Sequence, residues 1–78
     1  MPTLLILFGL RFYFYTRDHP PIHVHVKSSD GEAKFEIERE TRMVYNIGLK
    51  IKDVKLTESI IEENKEYFIQ KWREVFGE

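Results

Sequence analysis

The sequence predicts an α+β domain: an antiparallel meander of three to four strands with a C-terminal helical segment, one bent helix or two, packed on one face. Two observations carry this. Hydrophobicity alternates with a period close to two up to about residue 47, and after Gly48 apolar residues recur at Ile51, Val54, Ile61, Phe68, Trp72 and Val75, the spacing of a helix face. Strands therefore precede the helix, and their short connections favour antiparallel pairing over crossovers. The 78 residues form a single domain, 1–78, and at this size one core buries only about 60% of the surface exposed by the unfolded chain.

The first segment, "TLLILF" from Thr3 to Phe8, is apolar on both faces. That suits a buried central strand or an edge strand covered by another chain, so a homodimer is one reading. Next come Leu10, Phe12 and Phe14, then Ile22, Val24 and Val26, then Ala33, Phe35 and Ile37, each set alternating with polar neighbours. The prolines of "HPPI" cannot donate ladder hydrogen bonds, which starts the second of these strands near Ile22 and holds His19 at its mouth. "SSDG" at 28–31 reads as a hairpin turn with Gly31 free to take a positive φ, and "ERET" at 38–41 as a polar turn before "RMVYNI". The helical pattern runs for about 26 residues, roughly 39 Å, against about 20 Å for a six-residue strand. A break near Asn64 and Lys65, or an overhang used by a second subunit, resolves the mismatch. Trp72 and Phe76 lie on the apolar helix stripe and read as core. Glu58, Glu62, Glu63, Lys65 and Glu66 read as a solvated helix face.

If the even-numbered strand residues face the helix, the period of two sends Arg11, Tyr13, Tyr15, His23, His25 and Lys27 to the other face, joined by Lys34 and Glu36. Neither histidine is then expected against Trp72 or Phe68. Such a face is also what any one-sided sheet presents to water, so a purely structural or interaction subunit is one reading of it. A second is divalent-metal binding, with zinc as one candidate: His23 and His25 lie two apart on a strand, about 6.6 Å between Cα atoms, with His19 as third ligand. Asp18 would orient His19 or cap the turn. A cupin-type motif needs an acidic ligand soon after the histidines, and the next strand carboxylate, Glu32, is too far along. A third reading is metal-free phosphoryl chemistry, with His23 and His25 as base and acid, Arg11 or Lys27 stabilising the phosphorane, and Tyr13 and Tyr15 stacking bases. The histidine-triad hydrolases are excluded, because Pro21 and Lys27 hold the neighbouring alternate positions.

Composition narrows the classes. Twelve Lys and Arg stand against 13 Asp and Glu, with six of each sign in residues 1–48, so nucleic-acid binding would need a local patch. Cysteine is absent, which excludes disulfides and thiolate metal sites and agrees with a reducing cytoplasm. The opening "MPTLLILFGL" lacks the basic start and cleavage site of a signal peptide and is shorter than the roughly 20 apolar residues of a membrane span. A soluble intracellular protein is the expectation.

The blocks "GLRFYFYTRDHPPIHVHV", "GEAKFEIE", "NIGLK" and "IIEENKEYFIQKWREVFG", together with "MPTL", resemble a family of small bacterial proteins known as domain of unknown function 4160. The Asp-His-Pro-Pro-x-His-x-His block, here Asp18, His19, Pro20, Pro21, His23 and His25, is its most specific part. Ile22 occupies the position where relatives have a third apolar or proline residue. The resemblance implies a small cognate protein partner and a toxin-like role on RNA, and it assigns no catalytic residue. On these grounds a toxin-like or partner-binding module acting on RNA ranks first, ahead of a metal-binding protein or metal-dependent hydrolase using the histidines and ahead of a structural subunit.

Overall fold

A computed structural model of the protein describes residues 3–77. Five strands, β1 (Thr3–Leu7), β2 (Leu10–Tyr13), β3 (His23–Lys27), β4 (Glu32–Glu36) and β5 (Arg42–Ile47), pair in chain order as one antiparallel sheet, followed by α1 (Ile51–Glu63) and α2 (Lys65–Phe76). The α+β meander is as expected, with more strands than the three or four anticipated. "TLLIL", read as a central or an edge strand, turns back on β2 through Phe8 and Gly9, both at positive φ (53° and 77°). Two such residues make the hairpin turn whose twist matches the sheet. β1 lies at the sheet edge, with Thr3 and Ile6 exposed, so it is not a central strand.

Alternation places Leu10, Phe12, Phe14, Ile22, Val24, Val26, Ala33, Phe35 and Ile37 in one buried layer with Ile60, Ile61, Phe68 and Trp72 of the helices. Phe12 stacks on Phe68 at 5.5 Å between ring centroids, and Phe14 meets Trp72 edge-on at 5.3 Å. Trp72 is thus core, as its helix position implies, and Phe76 packs on it at 4.3 Å. The hairpin over residues 28–31 closes with the Ser28 N–H donating to the Gly31 carbonyl. Gly31 does not take a positive φ, however. A side chain there would place its Cβ 1.9 Å from the Ile47 carbonyl oxygen, so close backbone approach is what demands glycine.

The helix breaks where the length argument places the break. Asn64 leaves helical geometry at φ −119° and ψ 17°, and its side-chain amide donates at 2.8 Å to the Ile60 carbonyl, which also accepts from the Asn64 backbone N–H. Ile51 and Val75, expected on the apolar stripe, are exposed at 76% and 41%. Ile51 stands in the first turn of α1 and Val75 in the last turn of α2, at the outer ends of the helical segment. Tyr67 of α2 donates its hydroxyl proton to the Leu4 carbonyl at 2.8 Å, tying the helix to β1.

Candidate metal centre

The register fixes which residues share the face opposite the helices. Tyr13 of β2, His25 of β3, Lys34 of β4 and Tyr45 of β5 are successive cross-strand partners, and His23 stands opposite Glu36. This face is not open at its histidines. Tyr13 is 1% exposed, His23 3% and His25 5%, because the β2–β3 loop folds back over them. Of residues 15–21 in that loop, Asp18 alone is not exposed.

Asp18 is held by its own turn. Its Oδ2 accepts from the Tyr15 backbone N–H at 2.9 Å, and its N–H donates to the Tyr15 carbonyl at 3.2 Å. The same Oδ2 lies 3.2 Å from His23 Nε2 and 3.3 Å from His25 Nε2, and Oδ1 lies 3.4 Å from His25 Nε2. The ligand atoms of Asp18, His23 and His25 all fall within 4.8 Å of one another. Tetrahedral zinc with bonds of about 2.0–2.1 Å needs its ligand atoms roughly 3.3–3.4 Å apart.

His23 has a defined tautomer. Nδ1 lies 2.9 Å from the Pro21 carbonyl, which can only accept, so Nδ1 carries the proton. In the neutral ring Nε2 then presents a lone pair, buried and without a hydrogen bond of adequate geometry, although it is close to the carboxylate. Two acceptors thus face each other, an arrangement that a bound cation or an added proton relieves. His25 Nδ1 is also buried without a partner. Burial is the strongest influence on His25 and lowers its pKa, with Asp18 pulling upward without overcoming it. For Asp18 burial acts upward, but the Tyr15 N–H and the two imidazoles outweigh it and hold the carboxyl below its ordinary range. The charge state is therefore carboxylate beside neutral His25 at neutral pH.

Aromatic rings wall the cluster. Tyr15 meets His25 edge-on at 4.5 Å, Tyr13 stacks on His25 at 5.4 Å, and His23 meets His25 at 5.1 Å. Burial, followed by the neighbouring Tyr15 hydroxyl, raises the Tyr13 pKa. One expectation is corrected here: His23 does touch Trp72, at 5.1 Å between centroids. The alternation of faces is nonetheless the anticipated one: His23 stands opposite Glu36 at the first residue of β3, and the contact with Trp72 is made at that end of the strand.

The expected ligand set changes in one member. His19 is exposed and stands outside the converging group, and Asp18 takes the third place. The sequence signal for Asp18 was its position five residues before His23 across two prolines that turn the chain back. Arg11 and Lys27 face each other one step beyond the Tyr13–His25 pair, with Arg11 over the Tyr13 ring at 5.4 Å. Tyr13 has no exposed ring to offer a base, whereas Tyr15 is 42% exposed.

The family model described as domain of unknown function DUF4160 matches residues 9–73. The chain belongs to this family. The match runs from the β1–β2 turn into α2, so the DUF4160 region contains Asp18, His23 and His25 and the whole loop that joins them. No curated protein and no solved structure matches the chain.

Proposed function

We propose that this DUF4160 protein binds a divalent metal ion through Asp18, His23 and His25. The observation that carries the reading is the His23 Nε2 lone pair, buried, lacking a hydrogen bond and aimed at a carboxylate, with Nδ1–H spent on the Pro21 carbonyl. Metal-ligating histidines are oriented in this way, the second nitrogen donating to a backbone carbonyl. An imidazole pair with a carboxylate suits zinc or another first-row ion, and three protein ligands leave a position open to water or a small molecule. This reading moves ahead of RNA recognition, which loses Tyr13 as a stacking surface. No helix among the described residues is long and apolar enough to cross a membrane.

The test is a calorimetric titration of the chelator-treated protein with Zn²⁺, Ni²⁺ and Co²⁺. Wild type and His19→Ala are expected to bind one ion per chain with equal affinity, and Asp18→Ala and His23→Ala to lose binding. Equal binding by all four proteins would place the ion elsewhere.

A further inference from the structure

Among the described residues, the cation directly across the sheet from the triad has no counter-charge. Lys34 on β4 is the cross-strand partner of His25, half-buried, and makes no hydrogen bond or ion pair among the described residues. The neighbouring carboxylates are engaged or displaced. Glu36 is held by Arg42 through contacts of 2.7 and 3.2 Å, Asp18 faces the histidines, and Glu32 sits one step further along β4 without an ion pair to Lys34. This face carries Arg11, Lys27, Lys34 and Arg42 against Asp18, Glu32 and Glu36. A divalent ion would bring its excess to three positive charges, with the two histidines buried and Lys34 half-buried beside them.

Resting on the metal reading above, we infer that the loaded centre takes a small oxyanion, a carboxylate or a phosphate, as its exogenous ligand, with one oxygen on the metal and another on the Lys34 ammonium. Oxyanions match this geometry because they present several acceptor oxygens about 2.2–2.5 Å apart, and lysine binds them as a point charge without a fixed fork. An open groove of about 510 Å³ lies alongside, lined by Pro21 and Glu36, the neighbours of His23, by Arg39, Thr41 and Arg42, and by the carboxylates of Glu38 and Glu40; its carboxylates outnumber its guanidiniums, so the anion itself is held between the metal and Lys34 rather than in the groove.

The full chain loaded with Co²⁺ provides the test, because the visible bands of cobalt respond to a change in its ligands. Inorganic phosphate and acetate, titrated separately, are expected to give saturable band shifts, and the tighter of the two identifies the preferred class. Lys34→Gln should keep the cobalt spectrum and need about tenfold more anion, the value of one charge-assisted contact. Lys71→Gln on α2 should titrate as wild type. Cobalt bands that neither anion shifts, or a Lys34→Gln titration identical to wild type, would overturn the inference while the metal reading stands. Absence of cobalt bands would remove both.

Discussion

His23 and His25 sit two residues apart on one strand yet would differ as metal ligands. His23 already donates its Nδ1 proton to Pro21, whereas His25 must move its proton to a buried Nδ1 that has no acceptor. Leaving such a donor unpaired costs about 1–3 kcal/mol, so His25→Ala should weaken metal binding less than His23→Ala does. The metal-free protein carries a pH signature of the same pair. His25 has a pKa below its ordinary 6.5 when folded, so below about pH 6.5 the unfolded chain takes up a proton that the folded chain refuses, and stability falls with pH. Asp18, also lowered from 3.8, adds a further loss once pH drops through the acid range. Thermal melts in chelator between pH 7.5 and 5 should show a falling Tm, with a shallower fall for His25→Gln. A Tm that rises toward pH 5 would contradict the assignment. At this scale alternation along residues 22–26 made the shared face of the two histidines legible. It could not reveal that Asp18 and not His19 faces them, because side-chain direction in an irregular loop follows no period.

The loop of residues 15–21 is held in its middle by Asp18, its one residue that is not exposed, and at its ends by the Tyr15 ring on His25 and by the Pro21 carbonyl on His23. The Asp18 carboxylate fixes the segment between those ends against the sheet. Trypsin cleavage after exposed Arg17 should accordingly be faster in Asp18→Asn than in wild type and slower when Zn²⁺ is present than in chelator, read by mass spectrometry of timed digests. The same metal should raise Tm. At a hundredfold excess over Kd the native state gains about 2.7 kcal/mol, which is about 10–20 °C for a domain of this size. Among the regular elements, the break at Asn64 was legible from length alone, since a straight helix would outrun the sheet. The β1–β2 turn was not, because Phe8 is a residue that seldom takes positive φ and gives no turn signal.

Across the molecule, two faces of one sheet have different tasks, a hydrocarbon core against the helices and a polar cluster under the loop. They meet at Trp72, the sole tryptophan, which is packed on Phe14 and Phe76 and touches His23. Its emission should therefore be quenched by Cu²⁺ or Ni²⁺ with the same midpoint as calorimetric binding, and Asp18→Ala should abolish the quenching. Unquenched emission at saturating metal would place the ion far from His23. The two-layer arrangement was legible because the period changes once, near residue 48. The contact that joins the layers was not, since it depends on which helix residue meets the end of β3. The bond from Tyr67 to the Leu4 carbonyl spans 63 positions, and Phe12 likewise waits for Phe68. On a ribosome, which makes residues in order at about 5–20 per second, the first strand emerges several seconds before its helical anchor exists. During that interval its leucines have no lasting shelter, and a nascent chain stalled before residue 67 is the form most exposed to chaperones and proteases.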